Sequence, residues 1–184
     1  MSNIIKSTLR TESHFTDDGR HRLLLKKVWN SKQPLVTVIT KFPNYDGDIK
    51  VDLTTQLIIN NVSDMGFGGV QMVNLCSNMQ MHKQADEVED TIHEDTDKFI
   101  LKAIESSDTV ILAWGSITSK IFSVRVKDIH TILEPYPDKI RVLINPRSKK
   151  LCHPLTPATR SLWMVEKGEI RSQSDEKQTE ETSS

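Results

Sequence analysis

Four short apolar runs rich in β-branched residues recur along this chain, at Leu35–Ile39, Gly69–Leu75, Thr109–Trp114 and Ile140–Ile144. Between consecutive runs the apolar residues change to helical spacing. Leu53, Leu57, Ile58, Val62 and Met65 share one helical face, with Asp52 as N-cap and Gly66 as C-cap. A second helix is expected over Glu94–Ser106, with Phe99, Ile100, Ala103 and Ile104 inward. A third is expected to open at Gly115 and Ser116, to carry Ile117, Ile121, Val124, Ile132 and Leu133 into the core, and to stop at Pro135. Strands alternating with helices predict right-handed crossovers. The expected fold is an α/β three-layer sandwich around a central, mainly parallel four-stranded sheet. An extended segment, Arg20–Trp29, precedes the first of these strands.

The domain organisation follows from composition. Residues 1–18 are expected to form a flexible leader, 19–167 one α/β domain, and 168–184 a disordered acidic tail of Ser, Thr, Glu, Gln and Lys. At 184 residues, 36% hydrophobic and 27% charged, the chain suits a single core. No apolar run reaches the roughly 20 residues of a membrane span, and Met1–Arg10 lacks the pattern of a secretory signal. A cytoplasmic monomer is expected. Two cysteines, Cys76 and Cys152, make no disulfide framework, and the histidines show no zinc spacing with them. No metal or cofactor is expected.

The net charge of −1 is unevenly spread. Lys139, Arg141, Arg147, Lys149, Lys150 and Arg160 fall in a stretch with no acid, whereas residues 86–97 hold seven acids. A concentrated basic segment suits an anion, although six solvated loop charges would look the same.

In a parallel α/β sheet, ligands bind beyond the carboxyl ends of the strands. The residues there are Thr40–Asn44, Asn74–Asn78, Trp114–Ser116 and Asn145–Thr156. Asn74 would be a turn residue or an amide reader. Trp114 suits core packing better than a stacking platform. Cys152 beside His153 makes a poor thiol nucleophile pair, because adjacent side chains point apart. Gly66-Phe67-Gly68-Gly69 follows a helix and precedes a strand, the reverse of a pyrophosphate-binding loop.

Taken in order, several blocks resemble the bacterial domain-of-unknown-function-1643 family over roughly residues 20–160. They are Arg22-Leu23 with Trp29, the Pro43 loop, Asp52-Leu53-Thr54, Gly66–Gly69 running into Val73-Asn74-Leu75, Ala113-Trp114-Gly115, and His153-Pro154-Leu155. The chain is also distantly similar to the uracil-DNA glycosylase superfamily. The likeness lies in Val70–Asn74, Val110–Gly115 and His153–Pro157.

That second likeness implies a uracil-DNA-glycosylase-like α/β fold and a base pocket at the strand ends. Asn74 would read the Watson–Crick edge of a flipped base. A His153 N–H would stabilise charge on the leaving uracil. Leu155, with Thr156 beside it in the His-Pro loop, would wedge the vacated stack. Arg147, Lys149 and Lys150 would hold phosphates.

Phe42 and Pro43 occupy the loop that normally carries a water-activating Asp or Asn, and Phe42 stands where that residue should be. Asp46 or Asp48 would have to substitute. The expected partner is DNA, single-stranded or uracil-containing. The alternatives are a non-catalytic module that binds single-stranded DNA or a DNA-mimicking glycosylase inhibitor, and an enzyme acting on free nucleotides or nucleosides. The acidic tail is expected to shield the basic face.

Overall fold

The computed structural model describes residues 3–44, 49–81 and 88–168. Asp46, Asp48 and the tail from residue 169 lie outside the described residues. The strands are β1 (Arg10–Phe15), β2 (Arg22–Val28), β3 (Leu35–Thr40), β4 (Gly69–Asn74), β5 (Thr109–Leu112), β6 (Ile140–Ile144) and β7 (Met164–Lys167). The helices are α1 (Leu53–Asp64), α2 (Thr96–Glu105) and α3 (Lys120–Leu133). No helix among the described residues is long and apolar enough to cross a membrane.

The sheet has seven strands in the order β1-β2-β4-β3-β5-β6-β7. The four expected strands form its parallel centre, β4-β3-β5-β6. Three antiparallel strands extend it: β2 beside β4, β1 beside β2, and β7 beside β6. The expectation of four strands is therefore corrected to seven. Residues 10–15, expected in a leader, form β1 instead. Its sequence RTESHF has no apolar run because an edge strand half open to water needs none. The sequence MVEK of β7 is silent for the same reason.

Helices cover both faces of the sheet. On one face α1 packs Ile58 and Val62 against Val36, Val38, Val70 and Met72. On the other, α2 and α3 pack Ile100, Ile104, Phe122, Ile129 and Leu133 against Ile39, Val73, Val110 and Leu112. Trp114 is buried in this second core. The N-cap of α1 is as expected: Asp52 accepts from the Thr55 amide at 2.6 Å. Gly66 takes φ +87° just beyond the helix, the conformation of a helix-terminating glycine.

The third helix differs from expectation. It starts at Lys120 rather than at Gly115, because Gly115 has φ +72° and cannot lie in a helix. Its buried face is Phe122, Arg125, Ile129 and Leu133, and Val124 is exposed. The face is set by Arg125, whose Nε donates to the Leu75 carbonyl and whose guanidinium pairs with Asp97. A buried arginine with its donors satisfied takes the place that an apolar count assigned to Val124.

The crossover from β3 leads to β4 on one side, and the next, from β4, passes back across β3 to β5 on its other side. This is the topological switch point, where a crevice opens beyond the strand ends.

Candidate functional site

Two clefts meet beyond the carboxyl ends of the parallel strands. The larger, of about 390 Å³, is lined by Lys41 after β3, Trp114-Gly115-Ser116 after β5, and Asn145, Ser148 and Lys150–His153 with Thr156 after β6. The smaller, of about 170 Å³, lies toward α1 and is lined by Arg22, Thr40–Phe42, Asn44, Asp52, Thr54, Thr55, Ile58, Met72, His153 and Leu155. Lys41 and His153 line both. Two further cavities, at β1–β2 and between β2 and α2, lie away from the crevice.

His153 is held on a tightly tied loop. The Cys152 amide donates to the Leu143 carbonyl at 2.9 Å, anchoring the loop to β6. Thr159, fully buried, donates its hydroxyl to the Thr156 carbonyl at 3.0 Å. The Leu155 amide donates to His153 Nδ1 at 3.2 Å. Nδ1 is thus an acceptor, so a neutral imidazole carries its proton on Nε2. Burial first, then the Lys41 charge, push the His153 imidazole down to about 4, against an upward pull from Asp52. At neutral pH His153 is therefore uncharged and offers one N–H.

This shift sets a pH dependence. The unfolded imidazole takes up a proton near 6.5, whereas the folded one resists until about 4. Between those values the unfolded state binds more protons, so stability rises with pH. The contribution is full above about 6.5 and is lost as pH falls to about 4. After a discount for partial exposure it is on the order of 2 kcal/mol. Urea midpoints measured from pH 7.5 to 4 should fall more steeply for the wild type than for His153→Gln; parallel curves would contradict this.

Gly115 makes the approach of the His153 loop possible. A Cβ there would stand 3.1 Å from His153 Cβ and 3.2 Å from its amide nitrogen. Its left-handed φ also disfavours any side chain. Gly115→Ala is expected to cost about 1–2 kcal/mol in urea unfolding from the backbone alone and to move the His153 imidazole resonances. Unchanged stability and spectra would contradict this.

The expected site residues divide. His153, Lys150 and Thr156 line the larger cleft, and His153, Phe42 and Leu155 the smaller. Phe42 stacks on Phe122 with ring centres 6.1 Å apart. Pro43 is buried beside it without lining either cleft. Asn74 is buried and lines neither cleft; its Nδ2 donates at 2.6 Å to Thr40 Oγ1, which lines the smaller one. Asn74 Oδ1 is buried without a hydrogen-bond partner among the described residues.

The basic segment also separates. Lys150 faces the larger cleft, whereas Lys149 Nζ lies 3.3 Å from Glu166 and Arg147 is exposed on the adjoining turn. Cys152 is buried, and burial pushes its thiol up, so it is no thiolate nucleophile.

Lys41 is the residue that the sequence did not single out. It is half-buried, burial pushes its ammonium down, and no carboxylate among the described residues lies within ion-pair distance. Its signal was positional, the first residue beyond β3, but only the strand order shows that β3 flanks the crevice. Asp52, read as a cap, also lines the smaller cleft.

The second strand end contributes nothing further to the clefts, because it is used structurally. Beyond β4, the Ser77 amide donates to the Thr91 carbonyl at 3.1 Å and Asn78 Nδ2 to the Asp90 carbonyl at 2.6 Å. His21 stands between Asp90 (3.0 Å from Nε2) and Ser77 Oγ (2.9 Å from Nδ1). This order of carboxylate, imidazole and hydroxyl suggests a nucleophile. Yet Ser77 is buried, and its Oγ already accepts from the Thr96 hydroxyl and the His93 amide. Saturated and shielded, it ties His93 and Thr96 to His21.

A family model described as Protein of unknown function (DUF1643) matches residues 22–155. The chain belongs to the DUF1643 family. The matched region runs from the start of β2 to the His153 loop and so holds the parallel strands and, Thr156 apart, the residues that line both clefts. No curated protein and no solved structure matches this DUF1643 chain.

Proposed function

We propose that this DUF1643 protein binds DNA through one nucleotide swung out of its stack, that uracil is the base its smaller cleft takes up, and that it releases that base slowly. The observation that carries this reading is His153. A neutral imidazole whose Nδ1 is occupied leaves an Nε2–H in a partly dry cleft, a donor suited to negative charge developing on a leaving base.

The smaller cleft supports the reading by its size and lining. Its volume of about 170 Å³ suits a single heterocycle. Phe42, Ile58 and Met72 supply apolar walls, and Thr40, Asp52 and His153 supply polar edges. Asn74 acts in this account through Thr40, fixing its hydroxyl. Leu155, partly exposed at the rim, is the wedge.

Slow release follows from Phe42. With a phenyl ring where a carboxylate would activate water, general-base help worth about 10²–10⁴-fold is weakened. A second reading, a module that binds single-stranded DNA or a DNA-mimicking inhibitor without chemistry, is favoured by that same ring and its stacking on Phe122.

The test uses labelled single- and double-stranded oligonucleotides with and without one uracil. A native gel reads binding, and alkali cleavage reads abasic sites. The expected result is a shifted band and slow, uracil-dependent cleavage. A shift without cleavage selects the binding module. Thermal stabilisation by free nucleotides with neither shift nor cleavage selects a nucleotide enzyme.

A further inference from the structure

We propose that the larger cleft is a phosphate site, with Lys41 and Lys150 as its cationic arms. This deepens the preceding reading by assigning base and phosphate to separate clefts.

The polar groups that line the cleft favour an anion. No Asp or Glu among the described residues lines it. Asn145 Oδ1 already accepts from the amides of Arg147 and Ser148, at 2.9 and 3.3 Å, so its amide has only N–H groups to offer. His153 lines this cleft too, but its Nδ1 is taken by the Leu155 amide and its Nε2–H belongs to the base. Thr156 Oγ1 accepts from the His153 amide at 3.3 Å, and its hydroxyl is engaged with the Cys152 sulfur. Lys41, Lys150 and the Asn145 amide line a cavity of about 390 Å³. Such a lining repels a cation and solvates an anion.

Lys41 strengthens the case. Its ammonium sits 5.8 Å from the Phe122 ring centre, half-buried, with no carboxylate to offset its desolvation among the described residues. Among the described residues a cation so placed has no counter-charge, and an anion would supply it. The position fits too, since Lys41 follows β3 at the switch point of the sheet. Lys149 is excluded by its ion pair with Glu166. The anion is a phosphate because a tetrahedral, multiply charged group can engage both lysines and the neutral donors together. It is either the terminal phosphate of a mononucleotide or a backbone phosphodiester.

The test is a calorimetric titration at low salt with deoxyuridine, dUMP, inorganic phosphate and a uracil-containing oligonucleotide. Wild type is compared with Lys41→Gln, Lys150→Gln, Lys41→Arg and Lys149→Gln, all checked for unchanged thermal melting. The expected result is that dUMP binds at least about tenfold tighter than deoxyuridine, with inorganic phosphate competing. Lys41→Gln and Lys150→Gln should each remove most of that preference, while Lys41→Arg and Lys149→Gln keep it. Should only the oligonucleotide bind, with the same two variants weakening it and each lowering its salt slope by about one, the phosphate is a backbone phosphodiester. No phosphate preference, together with oligonucleotide affinity untouched by both variants, overturns the site. Should dUMP bind no tighter than inorganic phosphate, the base reading falls and the phosphate site stands.

Discussion

Gly68→Ala is expected to cost at least about 3 kcal/mol of stability, enough to unfold much of a marginally stable domain. A Cβ at position 68 would stand 1.9 Å from the backbone oxygen of Asn30 and 2.9 Å from its carbonyl carbon. Neither belongs to a flexible side chain that could swing away, so the two backbones would have to part. Parting them breaks what they share. The Gly68 carbonyl accepts from the amides of Trp29 and Asn30, both at 2.9 Å, and the Gly68 amide donates to the Pro34 carbonyl at 2.8 Å. Three hydrogen bonds to buried Gly68 at about 1 kcal/mol each, plus overpacking, give the figure. Gly66→Ala is the control. It has φ +87° but nothing within 4 Å of a Cβ, so it should lose only about 1–2 kcal/mol. Urea unfolding of the two variants checks the contrast, and equal losses would contradict it.

His153→Ala is expected to lower the rate of uracil release by about 10²–10³-fold while leaving DNA affinity within a few-fold of wild type. The asymmetry follows from when the Nε2–H acts. Charge on the leaving base grows only as the glycosidic bond breaks, so the hydrogen bond strengthens in the transition state and adds little to ground-state binding. The loop should survive the change: it loses the Leu155 amide's bond to Nδ1 but keeps the Cys152 amide on Leu143 and the Thr159 hydroxyl on the Thr156 carbonyl. Single-turnover rates and gel-shift affinities measured on the same preparations test this. Equal losses in both would make His153 a binding residue, and an unchanged rate would remove it from the chemistry.

Much of the fold was legible because it is written in burial. The runs of β3, β4, β5 and β6 are apolar because parallel strands are covered on both faces, and they stand out against any background. The edge strands β1 and β7 escaped because water satisfies half of each strand, leaving no run to find. The face of α3 was misread because buried Arg125 counts as polar in a periodicity and as core in the structure. Strand order was beyond the sequence, since it depends on contacts between distant segments.

The site follows the same division. His153 was legible through its His-Pro setting, and the functional weight of the strand ends came from the alternation of strands and helices. Lys41 was not, because its importance comes from lying next to the β5 and β6 ends, which no local pattern records. The Gly66–Gly69 motif was legible as glycine-rich but not in its purpose. Gly66 ends a helix, and Gly68 lets the chain pass the Asn30 backbone.

The central claim is that a neutral His153 donates its Nε2–H to a base held in the strand-end cleft. Nitrogen-detected NMR of the histidine side chains at pH 7 tests it directly, with His153→Ala assigning the resonance, before and after addition of a uracil-containing oligonucleotide. The account predicts a neutral imidazole protonated on Nε2, whose Nε2 resonance moves on adding the uracil strand and not on adding its thymine counterpart. An imidazolium at pH 7, a proton on Nδ1, or an Nε2 signal indifferent to uracil would contradict it.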